Sequence, residues 1–326
     1  EYRAALTEAL GWEIDPTVAA EDLAQSFSSQ PDRVLSRLGE TLINALTPDG
    51  LSPSPRTGTW RESRTGRYGE KAGLFHNIMV PIDGEQSGWQ TLAEALKIAQ
   101  LEGGRILGLH ILPDDIRTAN VAASEIEAEF DRRCAEMEVP GDLAVETGSI
   151  ASEIAKRARW ADLLVAPLRY PPGADVLAKL KSGFRTMIIR SPCPVLALPR
   201  QLFPVKRILL AYDGSQKGHE ALYLAPYLAA RFDNDLIVTT VGEDETFVTE
   251  TLTEARTYLI DHNVAAEYLA RNESNVGTAI RAIAEEREVD LIVMGSYGRS
   301  ALLEIVLGST VNDVLRKSRR PVLICR

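Results

Sequence analysis

The sequence has few cysteines, and it lacks any long apolar run. Cys134, Cys193 and Cys325 are odd in number and widely spaced, with no Cys-x-x-Cys pair and no Cys/His spacing typical of metal sites. We find no secretory leader, and no apolar stretch approaches the roughly 18 residues needed to cross a bilayer. These absences argue against a disulfide framework and against membrane insertion, and they predict a cytoplasmic protein with ordinary buried thiols.

Positive charge and recognisable catalytic motifs are also scarce. The chain carries 36 Lys and Arg against 46 Asp and Glu, a formal net charge of -10, so the average field of its surface would repel nucleic acid. The four histidines (His76, His110, His219 and His262) are scattered, and we interpret each as structural or solvated. There is no Gly-x4-Gly-Lys-Ser/Thr loop and no carboxylate pair positioned to activate water, so we predict a protein that is not an enzyme.

An internal repeat organises the 326 residues, which exceed the usual length of one domain. Three segments of the first half match three of the second: 76–88 with 206–218, 162–165 with 290–293, and 194–196 with 321–323. The period of about 130 residues indicates two tandem copies of one domain. We place the copies at 76–200 and 201–326.

Each copy alternates strand-like and helical patterns, which is typical of βαβ units around a parallel sheet. The predicted fold class is therefore α/β, with two doubly wound parallel five-stranded sheets. In the second copy the predicted strands are Ile208–Tyr212, Leu236–Val241, Ala265–Ala270, Leu291–Met294 and Val322–Cys325.

A glycine motif near the end of the chain predicts a nucleotide site. Gly295 follows the apolar run 290–294, Gly298 lies three residues further on, and Gly308-Ser309-Thr310 begins an amphipathic helix. Gly298 would let backbone pass close to a ligand. Ser309 or Thr310 can cap the first turn, while free amides at the helix N-terminus attract an anion.

This Gly-x2-Gly-x9-Gly-Ser pattern resembles the ATP-binding signature of the universal stress protein family. The segment 206–215 also resembles the family's first strand, whose terminal aspartate, here Asp213, sits by the adenine and ribose. The resemblance implies strand order 3-2-1-4-5 and a bound ATP, and whether Mg²⁺ accompanies that ATP is left open. The implied binding residues are Ala211, Tyr212, Asp213, Val241, Met294, Gly295, Gly298, Arg299, Gly308, Ser309 and Thr310.

The first copy has lost this signature. Pro167 stands in place of Gly295, Tyr170 in place of Gly298, and Lys181-Ser182-Gly183 in place of Gly308-Ser309-Thr310. Side chains then project where a nucleotide needs open backbone, and Pro167 removes one amide donor. We predict that nucleotide binds the second copy only and that the first is a structural partner.

Residues 1–75 lie outside the resemblance. Residues 1–48 are predicted to form three short helices, and 49–75 have the Pro, Ser, Gly and Arg content of a linker. So small a helical unit is expected to pack on the tandem body or on an unidentified protein partner. We interpret the arginines of the linker as solvated rather than as a nucleic-acid contact.

The leading functional hypothesis is an ATP-binding stress-type regulatory protein. Two alternatives stay open: slow hydrolysis of ATP with Mg²⁺ held by Ser309 or Asp213, and a nucleotide-free scaffold. The family pairs its domains through the last strand, which corresponds to Pro194–Leu198 and Pro321–Cys325 here, so the two repeats are expected to pair within the chain. Whether two chains then form a homodimer is left open.

Overall fold

A computed structural model describes residues 73–112, 116–148, 150–168, 187–188, 191–199, 201–296 and 308–326. The predicted N-terminal helices, nearly all of the linker, Tyr170, Lys181–Gly183, Gly298 and Arg299 lie outside these residues. Contacts between Cα atoms divide the chain into two compact units. No helix among the described residues is both long enough and apolar enough to span a membrane.

The first unit is built from βαβ crossovers. Its elements are β1 (Asn77–Ile82), α1 (Gln86–Glu102), β2 (Arg105–Leu112), α2 (Ile116–Glu136), β3 (Gly141–Thr147), α3 (Ile150–Arg157), a 3₁₀ turn (Ala158–Trp160) and β4 (Leu163–Pro167), the last two residues of β4 being assigned to the second unit. The strand order is β3-β2-β1-β4, and the pairs β1–β2, β2–β3 and β1–β4 are parallel.

The second unit repeats this plan and adds a strand at its edge. Its elements are β5 (Val195–Leu198), β6 (Arg207–Ala211), α4 (Gln216–Phe232), β7 (Asp235–Val241), α5 (Glu245–Asp261), β8 (Glu267–Arg271), α6 (Val276–Glu286), β9 (Leu291–Gly295), α7 (Ser309–Lys317) and β10 (Val322–Cys325). The order β8-β7-β6-β9-β10 confirms the predicted 3-2-1-4-5 arrangement. Beyond it, β5 pairs antiparallel with β10, Leu323 facing Leu196.

The central strands are apolar because helices cover both faces of the sheet. Ile208, Leu209 and Leu210 of β6 are completely buried, as are Ile292 and Val293 of β9. Burying one such side chain stabilises a fold by about 1.5–3 kcal/mol. All three cysteines are free and buried, as expected, and burial raises the pKa of Cys134 to about 12, with the charge of Asp131 adding to the effect.

Strand boundaries differ slightly from the predicted ones. The third strand of the second copy begins at Glu267 rather than Ala265, and the first ends at Ala211 rather than Tyr212. The amide of Tyr212 still donates to the carbonyl of Thr239 at 2.9 Å, but the pairing of β6 with β7 ends at Ala211. In a parallel sheet, a strand ends where its neighbour no longer offers backbone hydrogen bonds. The apolar pattern of one segment does not show where that happens.

Candidate functional site

The turn after β6 is stabilised by Asp213. Its Oδ1 accepts from the amide of Ser215 at 3.0 Å, and the intervening Gly214 has a φ of 68° that favours glycine. Ser215 then caps α4 by accepting from the amide of Gly218 at 2.9 Å. A Cβ on Gly218 would lie only 2.5 Å from Asp213 Oδ1. The glycine four residues after Gly214 is therefore needed for the carboxylate to lie against the first turn of α4.

Four other predicted site residues lie at the carboxyl ends of neighbouring strands. Ala211 of β6 is directly paired with Met294 of β9, and Gly295 follows Met294 as the last residue of β9. Val241 ends β7, and only 8% of it is exposed. Doubly wound sheets bind ligands at this edge, where the strand order reverses. Here the reversal falls between β6 and β9.

Gly295 also has a packing role. A Cβ added to it would lie 2.7 Å from the backbone nitrogen of Gly218 and 2.7 Å from the carbonyl carbon of Lys217. These contacts are to backbone, which cannot rotate away as a side chain can. Gly295 therefore lets the start of α4 approach the end of β9 and places Asp213 and β9 on either side of Gly218.

The N-terminus of α7 differs from those of α4, α5 and α6. Ser215 caps α4, Asp244 caps α5 by accepting from two amides, and Asn275 caps α6 by accepting from Thr278 at 3.0 Å. The N-cap of α7 is Gly308, and it makes no side-chain cap bond. Within the described residues, the amides of Ser309, Thr310 and Val311 donate no hydrogen bond.

This arrangement corrects one expectation. Ser309 or Thr310 was expected to cap the helix, but both lie inside its first turn, because the extended N-cap conformation (φ −54°, ψ 146°) falls on Gly308. The amides at the start of a helix carry partial positive charge, and they need acceptors from elsewhere. The start of α7 can therefore accept an anionic group.

A groove of about 480 Å³ lies beside this helix start. It runs between the N-termini of α6 and α7 and is lined by Ser274, Asn275, Val276, Gly277, Ser309, Thr310 and Asp313. Sequence reasoning identified only Ser309 and Thr310 of these. The other lining residues could not be identified from the sequence. Ser274 and Asn275 look like an ordinary polar turn, and no local pattern shows that this turn lies next to α7.

The carboxylate of Asp313 is neutralised within the groove. Its Oδ1 is 2.5 Å from Lys317 Nζ, and its Oδ2 is 3.4 Å from Arg281 Nη2. Burial alone would raise the pKa of Asp313, but the hydrogen bonds and charges of Lys317 and Arg281 outweigh burial and lower it. Lys317 and Arg281 lie outside the residues that line the groove, and their charges offset that of Asp313, the charged residue of the lining.

Ser296 is a further polar residue at this place, and sequence reasoning missed it. Its carbonyl accepts from the amide of Gly308 at 3.3 Å, and its own amide donates to the carbonyl of Cys325 at 3.0 Å. These bonds fix Gly308 against the end of β9. The side chain is fully buried, and its Oγ has no hydrogen-bond partner among the described residues.

The side chain of Tyr212 is buried beside α4 and α5. Only 1% of the residue is exposed, and its hydroxyl lies 3.1 Å from Nε2 of His219 on α4. The same Nε2 lies 2.8 Å from Oε1 of Glu254 on α5. The phenol is thus turned toward these two helices. Glu254 lies 35 positions from His219, so no local pattern could have joined them.

The first copy keeps the turn but not the end of the glycine motif. Asp83 Oδ1 accepts from the amide of Glu85 at 2.9 Å, Gly84 has a φ of 78°, and a Cβ on Gly88 would lie 2.5 Å from Asp83 Oδ1. Pro167, which replaces Gly295, ends β4 and has no amide hydrogen. The two repeats therefore share the aspartate turn and differ at the fourth strand.

A doubly wound parallel sheet whose strand order reverses between β6 and β9 belongs to the class of α/β folds that bind ligands at this edge. A family model described as the universal stress protein family matches residues 74–199 and 204–326, together more than half of the chain. The chain belongs to the universal stress protein family, and its two matches confirm the tandem form.

Individual relatives agree with this assignment. The chain is 34% identical over 145 residues to universal stress protein Slr1230 of Synechocystis sp., covering 43% of this chain and 49% of the relative. It is 50% identical over 44 residues to universal stress protein MJ0577 of Methanocaldococcus jannaschii, covering 14% and 27%. The chain thus spans about half and about a quarter of these relatives. Its fold is similar to the crystal structure of a universal stress protein from Archaeoglobus fulgidus, with a TM-score of 0.66 at 22% identity, covering 78% and 97% of the two chains.

Proposed function

We propose that this protein is a regulatory ATP-binding protein whose second repeat holds the nucleotide. The observation that carries the proposal is the start of α7, which has no side-chain cap and lies beside a polar groove, whereas α4, α5 and α6 each have a side-chain cap. Three amide donors at one helix N-terminus suit a polyphosphate, because they combine hydrogen bonds with a favourable dipole.

The proposed contacts to the base and the ribose come from residues at or just after the carboxyl ends of the strands. Met294 and Val241 are largely buried apolar side chains at the carboxyl edge of the sheet, and they supply walls for a base. Asp213 is partly exposed on the turn after β6 and offers a carboxylate oxygen to ribose hydroxyls. Gly298 and Arg299 belong to the proposed site on the resemblance alone.

We propose that the first repeat binds no nucleotide. It keeps the Asp83 turn, but Pro167 removes the amide that the position of Gly295 would supply. The first repeat then serves as a structural partner. The antiparallel pairing of β5 with β10 supports pairing of the repeats within one chain, since β5 comes from the end of the first family match. Further partners, among them a second copy of the chain, would use other surfaces.

A binding role is favoured over catalysis. The carboxylate of Asp213 accepts from the backbone of its own turn, and that of Asp313 is paired with two cations, so neither is positioned as a free general base. ATP with Mg²⁺ is the proposed ligand, and its occupancy would set the protein's conformation or partners. Three reduced thiols agree with a cytoplasmic location.

The test is the identity and stoichiometry of the ligand. Purified protein is denatured and its supernatant resolved by anion exchange, and the emptied protein is titrated with Mg·ATP by calorimetry. We expect ATP at close to one per chain. Two per chain would refute the assignment of the first repeat, accumulation of ADP during incubation would favour hydrolysis, and no binding would favour the scaffold.

A further inference from the structure

β8 forms one edge of the sheet in the second unit. Among the described residues it pairs with β7 alone, which lies on its inner side. The strand (Glu267–Arg271) contains no proline, and every residue in it is at least partly exposed. The edge of a strand presents a row of N–H and C=O groups that pair readily with another strand.

The backbone groups of β8 alternate between the two sides of the strand. The carbonyl of Arg271 accepts from the amide of Gly242 at 3.1 Å, and the carbonyl of Leu269 accepts from a threonine hydroxyl of β7 at 2.9 Å. Both carbonyls therefore face β7. Because the direction alternates from residue to residue along a strand, the N–H and C=O groups of Tyr268 and Ala270 face outward. The edge thus offers two donors and two acceptors.

These outward groups match those of a second copy of the same strand. If two β8 strands run antiparallel about a two-fold axis at Leu269, Tyr268 of each copy lies opposite Ala270 of the other. Both residues face outward, so each of the two pairs exchanges two hydrogen bonds. Such self-complementary pairing about a two-fold axis is the commonest form of association between identical chains.

The charges at the two ends of β8 are complementary in this arrangement. Glu267 of each copy lies opposite Arg271 of the other, in a pair without backbone hydrogen bonds, where side chains approach most closely. Within one chain, Arg271 is 2.7 Å from Glu286 and Glu267 is 2.8 Å from Arg287. The intermolecular pairs would join these into rows of alternating charge. Exposed ion pairs add little affinity, so their main effect is to select this register.

The edge strand of the first unit lacks this complementarity. Among the described residues, β3 pairs with β2 alone. Two antiparallel copies of β3 centred on Ala144 would bring Asp142 opposite Glu146, and like charges in opposite positions destabilise a strand pair. Of these two edges, β8 is therefore the one that suits a second copy of itself.

We propose that two chains dimerise through β8, antiparallel about Leu269, with reciprocal ion pairs between Glu267 and Arg271. No residue of β8 belongs to the proposed nucleotide site, so the inference is independent of the proposed function. The interface also differs from the pairing of β5 with β10, which lies at the other edge of the second unit. A five-residue edge is small, so the dimer is expected to be weak and to form at micromolar concentrations or above.

The sharpest test mixes two charge-reversed variants of the full chain. Arg271→Glu alone brings two glutamates together in each pair, and Glu267→Arg alone brings two arginines together, so each variant should dimerise more weakly than the wild type. An equal mixture restores both pairs of opposite charge, and it should form a heterodimer. Damage to the fold of either chain cannot produce such a rescue.

A proline tests the backbone hydrogen bonds. Ala270→Pro removes an outward amide and leaves the bonds to β7 in place, since proline is tolerated where the N–H of an edge strand faces away from the sheet. The dimer then loses one hydrogen bond from each copy. We expect its dissociation constant to rise about tenfold or more.

A cysteine tests the register. Leu269→Cys places two thiols on the two-fold axis, where the Cα atoms are about 4.5 Å apart and a disulfide can form. Ala270→Cys is the matched control, because its two copies are diagonal neighbours about 7–8 Å apart. Mild oxidation should cross-link the first variant and not the second. The native cysteines are buried and leave this result unaffected.

Sedimentation velocity over a range of concentrations measures the association. Wild type that stays monomeric at about 1 mM, where even weak complexes form, would overturn the proposal. So would charge variants that fail to associate on mixing, or a dimer that Ala270→Pro leaves unchanged. If a segment of the same chain covers β8 instead, the amides of Tyr268 and Ala270 will be protected from hydrogen exchange in the monomer, which would also refute the dimer.

Discussion

Replacing Gly308 by aspartate should have opposite effects on stability and on nucleotide binding. Gly308 already has the extended backbone of an N-cap residue, so an aspartate fits without strain. Its carboxylate would accept from the free amides of the first turn of α7, as Asp244 does for two amides of α5. The variant would thus occupy the donors that we assign to the phosphates.

The magnitudes follow from these contacts. Aspartate is preferred over glycine as an N-cap by a few tenths of a kcal/mol, and its charge at the helix N-terminus adds about 0.3–1 kcal/mol. We therefore expect the free energy of unfolding to rise by about 0.5–1 kcal/mol. Each lost hydrogen bond to a charged group costs about 1.5–3 kcal/mol, so losing two weakens ATP binding by at least ~3 kcal/mol, a factor of about 100.

The assay pairs urea unfolding of the apo protein with calorimetric titration of Mg·ATP. Gly308→Asn is the matched variant, because asparagine caps α7 without adding charge. It should gain only a few tenths of a kcal/mol, because it lacks the charge at the helix N-terminus, and it should lose less affinity than Gly308→Asp. Unchanged ATP affinity in Gly308→Asp, with the stability gain present, would refute the placement of phosphate at α7.

Two further predictions concern the fold. Gly295→Ala should lower the free energy of unfolding by about 1–3 kcal/mol, because its Cβ would meet backbone at Gly218, and urea unfolding equal to wild type would contradict this close packing. In the first unit, hydrogen bonds from Arg132 and Arg133 lower the pKa of Glu129 from 4.5 to about 2. Because the folded value lies below the unfolded one, this stability is present above about pH 4.5 and lost as the pH falls toward 2. Glu129→Gln should therefore make the free energy of unfolding depend less on pH between about 4.5 and 2. If the variant and the wild type show the same dependence on pH, the hydrogen bonds of Glu129 to Arg132 and Arg133 contribute nothing to stability.

The sheet could be predicted because its signals are local and repeated. Apolar runs such as 208–210 and 291–294 stand out in the sequence, and the repeat supplied each signal twice. The aspartate turn was visible for the same reason, since Asp-Gly and a later glycine occur at matching positions of both copies. Strand ends were less accurate, because they depend on the neighbouring strand.

Much of the candidate site could not be predicted in this way. The polar turn at Ser274 and Asn275 lies more than 30 positions from α7, yet both line one groove. His219 looked like an isolated histidine, and only the packing of α4 beside α5 brings it to Glu254. Ser296 is an ordinary serine in the sequence, and the structure buries it against the start of α7.

The sequence by itself determined the duplicated α/β architecture, the turn at Asp213 and the glycine that opens α7, because these depend on apolar periodicity and on backbone freedom within a few residues. Tertiary structure alone decided which helix starts remain uncapped, which cations neutralise Asp313 and which side chains surround the aspartate turn. Such contacts join residues far apart in the chain, and their energies depend on distances that only the packed sheet and helices set.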